Sequence, residues 1–493
     1  MDKMKDYNEI LDILKKEKFW GEGCPVRLQL FHYIMQCFVN NESILGKPAL
    51  TFSFDGYKEG VVAELTPWQE KYDLFEELFE KSKKDNDYLR KFVKPFWRLK
   101  EELRMIHEET MKVELSELSD DDLANLYKKL HKVLYEFVIY GTYFEIVDPY
   151  SETMAKKLKK KYDLEGKDVA SMVVTLSVPE KRSFLTQEKV DFAKLCLGKI
   201  SIKDFHKKYF WMDSTYKDAP ELTQDEIKKR VEKELNEKSK VVIENEIRGT
   251  IRYEYDLVKK KEEIIAEIGL DEDDKLLFSL IAEFGRLIDK RKVGMMTGNY
   301  SKYHIIAEIA RRKGINLDDL MFFTEEEAIK FLLGEEVNID EILKRKGPCF
   351  IYNAPEEEQI FTGEKAEELY SVYMKNIMGE EFKGNVTYDP GQSIKGKVCK
   401  VINTKVDKFE EGSILVTTMT RPDFMPLMRK AKAVITDEGG LTCHAAIVSR
   451  EMKIPCIVGT KIGTKMLKTG DNVEMNFCLG RVHKIKKDCG VEK

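Results

Sequence analysis

The sequence has no Cys-x-x-Cys pair, and its nine cysteines, an odd number, are scattered from Cys24 to Cys489. A disulfide framework or a thiolate zinc site needs paired spacing, so both are excluded and reduced thiols in a cytoplasm are expected. No apolar run approaches the roughly 18 to 20 residues that cross a bilayer. The opening residues, Met1-Asp-Lys-Met-Lys-Asp6, carry neither an apolar core nor a small-residue cleavage site, so no secretory leader is expected. Charge of one sign is also lacking: 83 Lys and Arg stand against 88 Asp and Glu, for a net charge of −5. That balance leaves no electrostatic footprint for nucleic acid or an anionic membrane. The absence of Gly-x-x-x-x-Gly-Lys-[Ser/Thr] excludes a P-loop, and there is no repeat of fixed period and no low-complexity tract. What is present is a chain of 493 residues, 42% hydrophobic and 35% charged. At about 150 residues per domain this suggests roughly three domains, each able to bury a core without staples.

The character of the chain changes near residue 383. Eleven of the 29 glycines fall in residues 384–493, where short β-branched runs alternate with turns. Upstream the pattern is helical. Ser119-Asp-Asp-Asp122 opens a stripe of Leu123, Leu126, Tyr127, Leu130, Leu134 and Phe137 at helical spacing. Thr223-Gln-Asp-Glu226 and Thr324-Glu-Glu-Glu327 read as capping boxes. Residues 50–65, with Asp55-Gly56 between alternating segments, read as a β-hairpin. Downstream, strands are expected at Lys397–Ile402, Ser413–Thr417, Ala433–Thr436 and Ile454–Gly459. Helices are expected near Phe424–Ala431 and Cys443–Met452, and a closing hairpin over Asp471–Asn476 and Gly480–His483. The expected architecture is a multidomain α and α/β fold. Residues 1–220 form a mixed, mainly helical region and 221–380 a helical domain, and a compact α/β domain occupies 384–493.

The chemically informative stretch is Thr436-Asp-Glu-Gly-Gly-Leu-Thr-Cys-His-Ala-Ala-Ile-Val-Ser-Arg450. A buried strand ends at Thr436, and Gly439 and Gly440 let the backbone turn tightly. Thr442 is an N-cap candidate, which places His444 in the first turn of a helix. There the positive end of the helix dipole disfavours imidazolium and keeps the ring available as a nucleophile. The same end would stabilise a phosphoryl group attached to it. Arg450, six residues on, is a candidate clamp for phosphate oxygens.

This segment resembles the phosphohistidine signature of the PEP-utilising enzymes, a family that includes PEP synthase, pyruvate phosphate dikinase and enzyme I of the sugar phosphotransferase system. The signature reads Gly-Gly-x-Thr-x-His, then two small residues, two aliphatics, a small residue and Arg. Gly439, Gly440, Thr442, His444, Ala445 and Ala446 match it, as do Ile447, Val448, Ser449 and Arg450. The continuation Glu451-Met-Lys-Ile-Pro-Cys-Ile-Val-Gly459 is similar too, and the lead-in Leu415–Pro422 resembles PEP synthase in particular. The resemblance implies that His444 carries a phosphoryl group and that residues 384–493 are a swivelling β/β/α domain moving it between two sites. The pivot is expected near Gly379–Pro390. Thr442 would hydrogen-bond the imidazole or the phosphate, and Gly439 and Gly440 would shape the loop. Cys443, common at this place in PEP synthases, is read as packing or loop chemistry. Leu441 stands where PEP synthases commonly carry Arg, which leaves the substrate open.

The family normally adds an ATP-grasp domain and, in the dikinases, a PEP-binding barrel. Only 49 residues follow His444, against about 250 for a (β/α)₈ barrel, and no Gly-Gly-Lys-Gly or Arg-Ser-Ser-Ala-type segment occurs upstream. ATP and Mg²⁺ are therefore expected on a separate ATP-grasp subunit, and no metal site is expected in this chain. The phosphoryl acceptor is expected to be a pyruvate-like, PEP-like or hydroxyl compound. Arg286–Lys292, Ala307–Gly314 and Leu317–Glu327 look like the helical stretch before the phosphohistidine domain in PEP synthase-like proteins such as rifampicin phosphotransferase, where that domain binds the acceptor. Residues 1–220 resemble no family. His107, His131 and His206 lack a second ligand at i+4 and read as core or surface residues. Tyr140–Phe144 and Tyr209–Trp211 are weighed as lining for an acceptor pocket, and Lys156–Lys161 reads as a solvated helix face. Two rival readings stand beside phosphoryl transfer: a binding or regulatory protein that keeps the domain for docking only, and a self-sufficient kinase with its nucleotide site in residues 1–220.

Overall fold

A computed structural model describes residues 6–16, 20–24, 50–56, 59–65, 68–147, 154, 157–164, 169–215, 218–354, 357–377, 381–402, 404, 407–420, 424–439, 443–477 and 480–485. Three bodies of secondary structure follow from the hydrophobic pattern.

The largest is helical. It comprises α2 (Trp68–Lys84), α3 (Tyr88–Lys112), α4 (Asp120–Thr142), α5 (Val169–Ser177), α6 (Phe184–Cys196), α7 (Ile202–Tyr209), α8 (Gln224–Glu237), α9 (Lys240–Ile268), α10 (Glu272–Lys313) and α11 (Glu325–Leu333). Side-chain caps fix the starts that the sequence indicated. The Ser119 hydroxyl accepts from the Asp122 amide, and Thr223 and Thr324 each complete a capping box with Glu226 and Glu327. The stripe of α4 is buried throughout, from Leu123 to Phe137. Its core draws on both sides of residue 220: Phe96, Tyr127 and Phe137 share one apolar cluster with Phe284, Ile305 and Phe323. A single core therefore crosses the expected boundary at 220/221. Within Lys156–Lys161 the described lysines, Lys157 and Lys159 to Lys161, are exposed as expected, and two of them make surface ion pairs. Lys161 reaches Asp271 and Asp274 at 2.6 and 2.7 Å, and Lys157 reaches Glu76 at 3.3 Å.

The second body joins distant stretches of the chain. The expected hairpin is present as β2 (Leu50–Gly56) and β3 (Glu59–Leu65), flanked by β1 (Trp20–Cys24). It is extended by β4 (Cys349–Ala354) and β5 (Glu357–Thr362) into an antiparallel sheet of order β1-β3-β2-β4-β5. Helices α1 (Tyr7–Lys16) and α12 (Glu364–Ile377) share its core, where Ile10, Leu11 and Leu14 meet Phe350, Tyr352 and Leu369.

The third body begins at β6 (Glu381–Lys383), slightly before the expected residue 384, and continues with β7 (Asn385–Tyr388) and β8 (Ile394–Lys400). Next come β9 (Ile414–Thr417), α13 (Met425–Met428), β10 (Ala433–Thr436), α14 (His444–Met452) and β11 (Cys456–Val458). Helix α15 (Gly463–Met466) and the antiparallel hairpin β12 (Asn472–Asn476) and β13 (Arg481–Ile485) close it. Strands β8 to β11 run parallel. Alternate residues of the central strands face opposite ways. Ile414, Val416 and Ile435 pack on Val473, Met475 and Val482 of the outer hairpin, while Leu415, Val434 and Cys456 pack under Ala445 and Val448 of α14. The layers are thus β/β/α, with central strands buried on both faces. Of the stretch Gly379–Pro390, expected to act as a pivot, the described residues from Glu381 on are mostly sheet. β6 pairs with β13, β7 pairs with β11, and the Gly384 amide donates to the Gly480 carbonyl at 2.9 Å. Among the described residues no helix is long and apolar enough to cross a membrane, and Cys196, Cys349, Cys399, Cys443 and Cys456 are free thiols.

Candidate functional site

Strand β10 lies at the centre of the parallel sheet, and all four of its residues are buried. Its pairing with the β9 side continues into the loop: the Asp437 and Glu438 amides donate to the Thr417 and Thr418 carbonyls at 3.1 and 2.8 Å. The Thr436 hydroxyl closes the turn by donating to the Glu438 carbonyl at 2.7 Å. Gly439 follows at φ +109°, a region that residues with a Cβ rarely adopt. A Cβ there would also lie 2.5 Å from Cys443 Sγ, so this position requires glycine on two grounds. Gly440 and Thr442 fall outside the described residues, as does the Leu441 between them.

Helix α14 starts at His444. Its N-cap is Cys443 rather than Thr442, and Cys443 Sγ accepts from the Ala446 amide at 3.4 Å. Sulfur is a weak acceptor, yet the extended backbone of Cys443 and this contact fill the capping role. Burial pushes the Cys443 thiol up, against the pull of the first-turn amides and Arg450. The thiol is therefore held protonated at neutral pH, in keeping with a packing role. His444 is the first helical residue, at the positive end of the dipole, and its side chain lies outside the described residues.

Arg450 lies on the second turn of α14. Six residues at 3.6 per turn put it about 120° round the helix from His444, whereas seven residues bring it over Cys443. Its charge acts on the Cys443 and Cys456 thiols. Burial drives the Cys456 thiol up to about 12. Ser449, also within the signature, anchors the helix: its hydroxyl lies 2.9 Å from that of Thr387 on β7, and Thr387 also reaches the Cys456 carbonyl.

Sequence reasoning passes over the residue that ties this loop down. Asp437 is buried and accepts from the Thr464 amide at 2.9 Å, from the Thr460 hydroxyl at 3.2 Å and from the Thr464 hydroxyl. Burial raises its pKa, while those threonines and the Lys465 charge pull it down. The fit is close on the other side as well, since a Cβ on Gly459 would lie 2.7 Å from the Gly439 carbonyl and one on Gly463 3.0 Å from Asp437. No periodicity signals such a network. The only sequence trace is the i, i+4 pairing of Gly459 with Gly463 and of Thr460 with Thr464.

Elsewhere the described candidates have structural roles. His107 Nδ1 lies 2.8 Å from the Ser301 hydroxyl, with its ring stacked on Phe210, and burial pulls it down to about 4. His206 pairs with Glu221 at 2.8 Å, and His131 lies 3.5 Å from Glu325. Tyr143, Phe144, Tyr209 and Trp211 are core residues. Among the described residues no cluster of three or more His, Cys, Asp or Glu could hold a metal ion.

Residues 409–478 match the family model described as "PEP-utilising enzyme, mobile domain". A probable phosphoenolpyruvate synthase of Pyrococcus horikoshii is 56% identical over 90 residues, which are 18% of this chain and 11% of that protein. A probable phosphoenolpyruvate synthase of Archaeoglobus fulgidus is 60% identical over 76 residues, 15% and 10% of the two chains. The phosphoenolpyruvate synthase of Aquifex aeolicus is 39% identical over 137 residues, 26% and 16% of the two chains. The likeness thus spans about a tenth to a sixth of these relatives. Among solved structures, the holo-form aconitase X of Thermococcus kodakaraensis aligns with 22% of this chain and all of its own, at 18% identity and a TM-score of 0.18.

Proposed function

We propose, on the premise that residues 409–478 are a mobile domain of the PEP-utilising enzymes, that this chain is a phosphotransferase component whose His444 carries a phosphoryl group from a nucleotide site on another polypeptide to a small-molecule acceptor. The observation that carries the reading is the position of His444 as the first residue of α14, in a segment whose start, Asp437-Glu438, is tied to the end of β9 and to the short helix α15. A helix N-terminus there stabilises added negative charge by roughly 0.3–1 kcal/mol at a surface site, and by more when partly buried. It also opposes protonation of the ring, so a neutral nitrogen stays available as nucleophile.

In the charging step an imidazole nitrogen forms a bond to phosphorus while the donor P–O bond breaks and its electron pair leaves with the donor oxygen. The second ring nitrogen keeps its proton. In the discharging step an acceptor oxygen attacks phosphorus, the N–P bond breaks with its electrons returning to the ring, and the acceptor proton passes to solvent. We route no step through a metal held by this chain, whose described residues group no three His, Cys, Asp or Glu side chains that could bind one. ATP and Mg²⁺ belong to the proposed ATP-grasp partner, where the metal neutralises phosphate charge. A swivel of the C-terminal body between the two stations would pivot before Glu381, where its sheet begins, in a reducing cytoplasm that suits the free thiols.

The test is transfer of label from ATP in the presence of a candidate ATP-grasp partner, or from PEP, to the intact chain. Acid-labile, base-stable label is expected on wild type and absent from His444→Ala. Equal labelling of the two proteins, or none on either, sinks the carrier role. Labelling from ATP without a partner would instead point to a nucleotide site within the chain.

A further inference from the structure

Away from the histidine loop, the helical body carries a cavity of about 700 Å³ that is open to solvent on one side. It lies between α3, the C-terminal end of α9, the first half of α10 and the segment linking α5 to α6. Small-ligand sites typically occupy roughly 300–1,000 Å³, so one compact molecule fits. The floor is apolar and partly aromatic, with Leu89, Val93 and Trp97 on one side and Ile265 and Phe278 on the other. Five cations line the cavity against two carboxylates, and four of the five have an acidic neighbour: Arg90 has Asp87, Lys275 has Glu272, Arg286 has Glu283 and Lys261 has Glu180 at a looser 3.6 Å.

The cations are arranged in depth. Lys261 is at the bottom, only 7% exposed, and donates to the Val178 carbonyl at 2.7 Å. Its nearest carboxylate, Glu180, is 3.6 Å away and mostly in solvent. Burial holds the Lys261 ammonium below its usual range, as expected of a cation that has given up water for an incomplete set of partners. Arg286 lies over the Trp97 ring at 5.2 Å from its centroid and forks onto Glu283. At the mouth, Arg90 and Lys181 are exposed.

We propose that this cavity binds a small amphipathic anion, with an apolar or aromatic body against Trp97 and Phe278 and one carboxylate, sulfonate or phosphate group on Lys261. A neutral ligand would leave the buried Lys261 ammonium with only the Val178 carbonyl and a carboxylate 3.6 Å away, and free phosphate would leave the apolar floor wet. A ligand that is both apolar and anionic satisfies the two halves together. The assignment rests on the cavity alone and stands whether or not His444 carries phosphorus.

The probe is anilinonaphthalene sulfonate, which joins an aromatic body to a sulfonate, titrated into the intact chain by fluorescence. Saturable binding at one site is expected, with displacement by decanoate and none by decanol or inorganic phosphate at the same concentration. Lys261→Met, which keeps the unbranched apolar stem without the ammonium, is expected to weaken binding by about 30-fold. Ala282→Phe, which fills the cavity, is expected to abolish it. Lys181→Glu changes only an exposed rim residue and leaves the fold intact, so it reads the charge requirement even where a buried variant unfolds; roughly fivefold weaker binding is expected. Unchanged affinity in Lys181→Glu, displacement by decanol as effective as by decanoate, or binding without saturation each overturn the proposal.

Discussion

Asp437 shows how one side chain can set a loop. Its carboxylate is buried and gathers three donors from the segment after β11, so the backbone leaving β10 cannot drift. Asp437→Ala leaves those donors without their acceptor, at a cost of about 1–3 kcal/mol for the unmet group. A lower unfolding midpoint of the C-terminal body is expected, together with slower phosphoryl labelling of His444. Labelling at the wild-type rate in a destabilised variant would show that the network supports the sheet and not the histidine loop. His107 makes a second residue-scale case, through pH. It is neutral in the fold, with its pKa pulled to about 4 from an unfolded value of 6.5. As pH falls below 6.5 the unfolded chain takes up the proton first, so stability is lost between pH 6.5 and 4 and is fully present above that window. The loss is at most about 3 kcal/mol. Denaturant midpoints at pH 7.5 and 4.5 should fall less in His107→Gln than in wild type; an equal fall in both would refute this origin.

Helix α10 runs unbroken for 42 residues, and its contact with α4 is set by glycine. A Cβ on Gly294 would lie 2.4 Å from the Phe137 ring, and one on Gly298 2.6 Å from Leu134. Phe137 cannot retreat, because it is fully buried and stacked on Phe96 at 4.8 Å. Gly294→Ala gains about 1 kcal/mol of helix propensity but overpacks a tight crossing, at a cost of about 1–3 kcal/mol. Net destabilisation is expected in chemical denaturation. Gly249→Ala on α9, where a Cβ meets nothing within 4 Å, is expected to stabilise by up to about 1 kcal/mol. A stabilising Gly294→Ala would mean that the helices separate at no cost. The same contrast explains what could be read from the sequence. Caps and stripes are local, so Ser119, Thr223 and Thr324 and the strands from β8 to β13 were legible residue by residue. The Asp437 network and the glycine crossing join residues far apart in the chain, and a local window shows at most the spacing of Gly459 with Gly463 and of Thr460 with Thr464. The pairing of Phe54 with Phe350 spans nearly 300 residues and is equally silent.

That pairing defines the molecule at its largest scale. The small sheet is built from both ends of the chain that precedes Glu381, with α1 covering the face that β4 and α12 present. It therefore ties residues 20–65 to residues 349–362, which flank the helical body in the chain. The swivel proposed above needs a rigid base, and a five-stranded sheet sealed by Ile10, Leu11 and Leu14 would supply one where a lone β4–β5 hairpin would be only marginally stable in water. Removing the seal should loosen the base without loosening what it carries. In Ile10→Ala with Leu14→Ala, each truncation of a fully buried side chain costs about 2–5 kcal/mol. Hydrogen exchange followed by mass spectrometry is expected to show faster exchange across residues 349–377. The central strands at 414–417 and 433–436 should stay as protected as in wild type, because their core is separate. If protection falls equally in both regions, the two bodies unfold as one unit, and a base that stays fixed while the C-terminal domain moves is no longer tenable.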